Sequence, residues 1–176
     1  MSGIGPGATV VTRWSTGADA VALASVHAAC WRYAYAGIIP GVELERMVAR
    51  RGPRWWQKLE TRGARALVLE LALGDVADGV AGYATLGRSR GEGAPAGEIY
   101  ELYLRPELHG AGFGRRLFEE SRRVLAAHGF QRLAVWALAE NEGACRFYRA
   151  MGGVEAGRGV HRLCGVDLAK IGFVWE

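Results

Sequence analysis

The sequence of 176 residues lacks the features that would place it in a membrane or around a metal ion. It has no apolar run of the roughly 18 or more residues that a membrane-spanning helix needs. Residues 1–12 have no basic stretch ahead of an apolar one, so we expect no signal peptide. The cysteines, Cys30, Cys145 and Cys164, are odd in number and far apart, with no C-x-x-C or His/Cys cluster. This pattern predicts no metal site, and the default expectation is a reduced, cytoplasmic location.

The length predicts a single domain over residues 1–176 with a substantial core, and we expect the Gly-rich residues 1–8 to be disordered. The net charge of +4 is carried by residues 43–65, which hold seven basic and three acidic side chains. A basic segment that contains Trp55 and Trp56 could bind nucleic acid or an acidic partner. Because no nucleic-acid-binding motif accompanies it, we favour a solvated helix face with inward-packed tryptophans. We therefore expect neither nucleic acid nor membrane as a partner.

Residues 98–118 are the most informative stretch. Residues 98–104 alternate aromatic, aliphatic and acidic side chains, which is typical of a strand, and Pro106 ends it. Gly110, Gly112 and Gly114 follow, and helical spacing begins directly after them. A glycine loop that opens a helix directs free backbone N–H groups and the positive end of the helix dipole at one spot. This arrangement predicts an anion site, most often for phosphate.

Two details of this stretch bear on the phosphate. Arg115 and Arg116 lie in the first turn, where the helix dipole disfavours cations unless an anion is bound there. The alternative is that Arg116 pairs with Glu119 or Glu120. The dinucleotide fingerprint is excluded because position 115 is not glycine, and the P-loop is excluded because the stretch has no lysine.

The loop reads His109-Gly110-Ala111-Gly112-Phe113-Gly114 after a strand and a proline. In this it resembles the acetyl-CoA loop of the GNAT (GCN5-related N-acetyltransferase) superfamily, Gln/Arg-x-x-Gly-x-Gly/Ala. His109 stands where the family has Gln or Arg. The family binds the pyrophosphate mainly through loop N–H groups, so the substitution weakens the match without breaking it.

A second segment, residues 141–153, matches the family pattern Asn-x-x-Ala-x-x-Phe-Tyr-x-x-x-Gly-Phe, with Gly153 where Phe is usual. Asn141 predicts a helix N-cap, and the apolar positions that follow have the i, i+3, i+4, i+7 spacing of one buried stripe. By itself this spacing fits a core tyrosine at position 148. The resemblance instead implies that the Tyr148 hydroxyl lies near the CoA sulfur.

The remaining elements follow the family order of strand, helix, helix, three strands, helix, strand, helix and two strands. We expect a first helix over about 18–30, a second helix or pair of helices over 42–60 broken near Gly52-Pro53, and a flexible loop over 87–97. A hairpin turn is expected at Gly74-Asp75. The predicted fold class is α/β (α+β), with a mixed, mostly antiparallel sheet of six to seven strands flanked by helices. The resemblance implies that this sheet is splayed at its central strand to admit the cofactor.

The resemblance also assigns the chemistry of acetyl transfer. Glu98 matches the glutamate base of the histone-modifying branch. Glu101 is the alternative base, and strict alternation would place it on the opposite face of the strand. For both, an ordinary ion pair with an arginine is an equally open reading. Tyr148 is the candidate acid, and the backbone of Leu102 and Leu104 would bind pantetheine and polarise the thioester carbonyl.

The remaining predicted site residues fall into a cofactor set and an acceptor set. The cofactor set, for acetyl-CoA, comprises Leu102, Tyr103, Leu104, His109, Gly110, Ala111, Gly112, Phe113, Gly114, Arg115, Asn141, Phe147 and Tyr148. The acceptor set comprises Trp31, Tyr33 and Tyr35, from a Trp-Arg-x-x-Tyr-x-Gly-x-x-Pro-like stretch that lines the acceptor pocket in many bacterial members.

The sequence thus predicts an acetyl-CoA-dependent N-acetyltransferase that acts by direct attack in a ternary complex. The acceptor is a small-molecule or peptide amine of undetermined identity, and a homodimer is left open. Two alternatives remain: a non-catalytic acyl-CoA-binding regulatory module, and a nucleic-acid or acidic-partner binder that uses residues 43–65.

Overall fold

The fold is built on one seven-stranded sheet with the order β1-β2-β3-β4-β5-β7-β6. It is known from a computed structural model that describes residues 8–62, 64–73, 76–90, 96–163 and 165–176. The strands are β1 (Ala8–Trp14), β2 (Leu67–Leu73), β3 (Val76–Arg88), β4 (Gly97–Leu104), β5 (Leu133–Leu138), β6 (Val154–Leu163) and β7 (Val166–Trp175). The helices are α1 (Ala20–Tyr35), α2 (Gly41–Arg50), α3 (Pro53–Thr61), α4 (Phe113–Ala127) and α5 (Glu142–Ala150). All neighbouring strands are antiparallel except β4 and β5, so the predicted fold class is confirmed.

Alternation along β2 shows why both faces of the sheet are covered. Leu67, Leu69 and Leu71 are buried in a core that also holds side chains of α4 and α5. Val68 points the other way, into a second core with side chains of α1 and α3. A strand that is apolar on both sides needs a helical layer on each face. The helices therefore form two layers, α4 and α5 on one face and α1 and α3 on the other.

The boundaries of the elements largely follow the sequence. The second helical region is a pair of helices that breaks between Arg50 and Pro53, as predicted. The first helix extends to Tyr35 rather than ending near position 30, because Trp31 and Tyr35 pack as part of its buried stripe. Strand β3 continues through Arg88, so the expected loop over 87–97 is shorter than predicted. The expected turn at 74–75, residues 1–7, position 164 and the loop positions 91–95 lie outside the described residues.

The splay at the centre of the sheet positions the site. Strands β4 and β5 pair only between residues 97–99 and 133–135 and then separate, although both continue further. Beyond Ile99, the edge of β4 that faces β5 therefore has no neighbouring strand. No helix among the described residues is long and apolar enough to cross a membrane.

Candidate active site

A cleft of about 1360 Å³ opens where β4 and β5 separate. It is lined by nearly every residue that the sequence assigned to the site. These are Trp31, Tyr33, Tyr35, Glu98, Glu101, Leu102, Tyr103, Leu104, His109, Gly110, Gly112, Gly114, Arg115, Asn141, Phe147 and Tyr148. Two predicted residues do not line it: Ala111 is exposed, and Phe113 packs against the core beneath α4.

The glycine loop has the geometry that an anion site needs. Gly110 and Gly112 adopt left-handed dihedrals, with φ of 82° and 85°, which other residues adopt only at a cost. The N–H of His109 donates to Pro106 and that of Arg116 to Gly112. Among the described residues, no backbone carbonyl accepts from the N–H groups of 110–115. These free donors, at the start of a fifteen-residue helix, fit a diphosphate.

The side chains around the glycine loop leave the space in front of its free N–H groups open. Gly114 lies against the Phe147 ring, and a Cβ there would stand 3.4 Å from it. Arg116 turns away and donates to the carbonyl of Val10 at 2.7 Å, so it does not pair with Glu119 or Glu120. Arg115 lines the cleft, with its Nη1 3.9 Å from Glu119 Oε1. At that distance the guanidinium of Arg115 is held weakly.

The open edge of β4 presents backbone groups to the cleft. The N–H of Arg105 donates to Ala81 at 2.9 Å, which fixes the alternation along this antiparallel pair. Leu102 and Leu104 accordingly direct their N–H and C=O groups away from β3 and towards the gap. The Leu104 carbonyl already accepts from the Cys30 thiol at 3.2 Å and from His109 Nε2 at 3.0 Å. Because a carbonyl can only accept, His109 carries its proton on Nε2.

Helix α5 brings Tyr148 to the same gap. Asn141 caps the helix as predicted, and its side chain accepts from the N–H of Ala144 at 3.1 Å. Tyr148 is 6% exposed and packs against Phe147 and Phe173, with ring centroids 5.3 and 5.7 Å away. Burial raises the pKa of its hydroxyl well above the usual value for tyrosine. That hydroxyl has no hydrogen-bond partner within the described part of the chain, so it remains available to a ligand.

Glu98 and Glu101 lie on the same face of the sheet, and the expectation of opposite faces is wrong. Glu98 pairs with Gly87 and Glu101 with Thr85, two residues apart on β3. Tyr100 is an extra residue in β4 at this point, a β-bulge that interrupts the alternation. Both carboxylates therefore line the cleft.

Each carboxylate is bound by an arginine. Glu98 is 2% exposed and accepts from the N–H of Arg90, and from its guanidinium at 2.6 and 3.2 Å. Glu101 accepts from Arg51 and from the Thr85 hydroxyl, the latter at 3.2 Å. Ionised carboxylates offer about four lone-pair sites. By this count Glu101 has more acceptor capacity left than Glu98.

Aromatic rings wall the cleft on the side of α1. Trp31 packs edge-on to Tyr35, with ring centroids 5.0 Å apart, and the Tyr35 and Tyr103 hydroxyls are 2.8 Å apart. Tyr33 lies at the rim, 64% exposed, with its ring 5.3 Å from that of His109. Arg51 stands 4.6 Å from the ring of Trp55. The expected grouping of Trp31, Tyr33 and Tyr35 beside the site is thus present in the structure.

The sequence analysis did not predict several of the residues that line the cleft. Arg51 and Arg90 sit in segments that the sequence describes only as basic or flexible, and Trp136 and Lys170 fall in strands with no motif. These four side chains line the cleft because separate strands and helices converge on the splay. No local spacing in the sequence signals this convergence.

The basic segment 43–65 contains most of α2 and all of α3, which pack against the rest of the fold. Trp56 is 3% exposed and lies in the core beneath α1, with Trp55 packed beside it. Arg46 pairs with Glu43, and Arg51 pairs with Glu101. Trp55 and Trp56 therefore pack inward, as expected for a solvated helix face with inward-packed tryptophans, and are not free to stack on nucleic-acid bases.

Comparison with known proteins decides the family. The model of the acetyltransferase (GNAT) family matches residues 25–152. The chain belongs to the GNAT family. A curated relative, "Uncharacterized N-acetyltransferase YuaI" of Bacillus subtilis (strain 168), is 30% identical over 155 residues, which cover 87% of this chain and 85% of that protein. As a GNAT member the protein is an N-acetyltransferase that uses acetyl-CoA, so the predicted family, enzyme class and cofactor are confirmed.

Solved structures of the same fold agree. YncA, a putative acetyltransferase from Salmonella typhimurium solved with acetyl-CoA, is 19% identical with a TM-score of 0.65 and covers 96% of this chain and 94% of its own. The PaiA N-acetyltransferase from Thermoplasma acidophilum, solved with coenzyme A, is 20% identical with a TM-score of 0.66, covering 93% and 98%. The ribosomal-protein-alanine N-acetyltransferase from Brucella melitensis is 23% identical with a TM-score of 0.66, covering 94% and 98%.

Proposed function

We propose that this protein transfers the acetyl group of acetyl-CoA directly to a primary amine, with both substrates bound together in the cleft at the splay. The observation that carries the proposal is a convergence. The cleft is lined by Gly110, Gly112, Gly114 and Arg115 with their free N–H groups, by Leu102 and Leu104 with N–H groups directed away from β3, and by Tyr148. Direct transfer needs both reactants held side by side, and one continuous cleft allows it.

The glycine loop and the open strand edge are the parts that fit coenzyme A. The loop donors suit a diphosphate, and the unpaired edge of β4 suits the amide groups of a pantetheine arm, which would extend the sheet as a further strand does. Bound there, acetyl-CoA would supply an activated acetyl group and a thiol leaving group. The N–H groups of Leu102 and Leu104 are the donors for the carbonyl oxygen that gains charge.

In this proposal Tyr148 donates a hydrogen bond to the leaving sulfur. Its hydroxyl is buried beside the splay without a partner among the described residues, and its raised pKa keeps it protonated at neutral pH. Full proton transfer from such a phenol to a thiolate is unfavourable, because the ideal acid has a pKa near the working pH. We therefore assign Tyr148 a hydrogen bond that strengthens as the thiolate forms, with a catalytic effect at the lower end of the usual range.

Glu101 is the base that the geometry favours, and Glu98 is the alternative. An amine must lose a proton to attack, and the base needs a free lone pair that can be reached directly or through one water. The Glu101 side chain is 13% exposed, against 3% for Glu98, and fewer of its lone pairs are occupied. Arg51 keeps Glu101 in place, since Nη1 binds one of its oxygens.

The test is acetyl-CoA turnover with a panel of amines, followed as released thiol. We expect transfer to at least one amine, a loss of roughly 10²-fold or more in kcat for Glu101→Gln, and a smaller loss for Glu98→Gln. If Glu98→Gln causes the larger loss in kcat, Glu98 is the base. Tight CoA binding without transfer to any amine would instead support the regulatory-module alternative.

A further inference from the structure

Positive and negative side chains do not balance in one half of the cleft, which we call the acceptor half. We define this half as the part on the sheet face covered by α1 and α3, between Glu98 and Glu101 on β4 and Trp136 on β5. Trp136 belongs to this face because Glu98 pairs with Ala134, two residues before it. Both carboxylates in this half are neutralised by an arginine.

A further cation lines the same half without a carboxylate partner in the described part of the chain: Lys170. Lys170 pairs with Leu138, two residues after Trp136, and so lies on the same face of the sheet. It is half-buried on β7, and its Nζ stands 4.4 Å from the centroid of the Trp136 ring. With two neutral pairs and one unpaired cation among the described residues, the acceptor half is positive.

The packing of Trp136 on the sheet fixes the position of the Lys170 ammonium. The Trp136 indole lies over three glycines of β6 and β7, where a Cβ would stand 3.2 Å (Gly157), 3.8 Å (Gly159) and 3.0 Å (Gly172) from its ring atoms. Without side chains there, the backbone lets the large ring lie against it. The ring then holds Lys170 by a cation–π contact, which limits where its charge points. Trp136 is itself 37% exposed to the cleft.

We propose that the acceptor is an amine that also carries an anionic group, most simply a carboxylate, and that Lys170 receives this group. This inference rests on the proposed function and specifies its substrate class. A polyamine would bring a second positive charge beside an unpaired cation, which is unfavourable where water is partly excluded. An anionic group would complete the charge balance. The positive surroundings also favour the neutral, nucleophilic form of the amine.

The experiment compares matched acceptors in the wild-type enzyme. Each set is an amino acid, its carboxamide and its decarboxylated amine, built on phenylalanine and on leucine, with spermidine as the polycation. The carboxamide has nearly the shape of the carboxylate but no charge. We expect kcat/KM for the carboxylate to exceed that for the carboxamide by about tenfold or more, as for one charge-assisted hydrogen bond, and spermidine to be the poorest.

A variant connects this preference to the Lys170 side chain. In Lys170→Met, the ratio of kcat/KM for the carboxylate to that for the carboxamide should fall towards one. The matched control is Lys58→Met, since Lys58 is the other lysine of the chain, exposed on α3 and not part of the cleft lining. That variant loses the same charge and should keep the wild-type ratio. Calorimetry with N-acetylphenylalanine and its amide provides a binding readout that does not depend on turnover.

The outcomes separate this inference from the proposed function. Acetylation of the amides, the amines or spermidine in preference to the carboxylates would overturn the inference while leaving N-acetyl transfer intact. A carboxylate preference that survives in Lys170→Met would also overturn it, because other groups would then bind the anion. No thiol release with any amine would overturn the proposed function, and the inference with it.

Discussion

Replacing Tyr148 with phenylalanine separates a chemical role from a packing role. The ring stays in place, because it packs against the aromatic rings of Phe118, Phe147, Phe173 and Trp175. The change removes a single hydroxyl, which has no partner among the described residues.

The structure sets the expected size of both effects. A hydrogen bond within a protein contributes about 1 kcal/mol to stability, and this hydroxyl makes none that is described, so the free energy of unfolding should change by about 1 kcal/mol or less. In the reaction, the hydroxyl would donate to a group that becomes negative. Loss of one such donor costs about 10²-fold in kcat, or about 2.7 kcal/mol of activation free energy. The KM for acetyl-CoA should barely change.

The assay is single-turnover thiol release, so that chemistry limits the rate, with a thermal melt on the same preparation. Tyr83→Phe is the matched control: Tyr83 is fully buried, does not line the cleft, and its hydroxyl lies 2.8 Å from His27 Nδ1. That variant should lose about 1–3 kcal/mol of stability, since it leaves a buried nitrogen unpaired, and should keep its turnover per folded molecule. Undiminished single-turnover rates in Tyr148→Phe would remove Tyr148 from the mechanism and leave solvent as the hydrogen-bond donor to the leaving sulfur.

Three further predictions follow from the loop, an ion pair and the basic segment. Gly112→Glu should abolish CoA binding in calorimetry, because it places a negative charge among the loop donors; Gly129→Glu, at a similar positive φ but outside the cleft, should bind CoA normally. Arg13 lowers the pKa of Asp19 to about 2 from 3.8. The pair therefore stabilises the fold fully above about pH 4, and less as the pH falls towards 2. Asp19→Asn should lower the free energy of unfolding by about 2 kcal/mol at pH 7. In denaturant titrations, the loss of stability of this variant between pH 4 and pH 2 should be smaller than that of the wild type. Residues 43–65 should confer no submicromolar, salt-sensitive nucleic-acid binding at physiological salt, and a gel shift that shows such binding would contradict this.

Elements that depend on local chemistry were predictable from the sequence. The break before Pro53, the glycine loop before α4 and the Asn141 cap of α5 each follow from the backbone preferences of one or a few neighbouring residues. The proposed anion site belongs to this group, because a glycine loop and the helix that follows it would form such a site from contiguous backbone. The family, the fold class and the cofactor could be predicted before any coordinates because the motifs that resemble the GNAT family are also contiguous in the sequence.

Tertiary structure alone decided how the side chains of the cleft are arranged around Glu98, Glu101 and Trp136. The bulge at Tyr100 places Glu98 and Glu101 on one face, and such a bulge is a property of the pairing of β4 with β3. The binding of Glu101 by Arg51 joins groups fifty positions apart. The packing of Trp136 against glycines of β6 and β7 likewise depends on the order of the strands in the sheet. These contacts arise from strand register and from packing between distant segments. Local patterns in the sequence do not reveal the register or the packing.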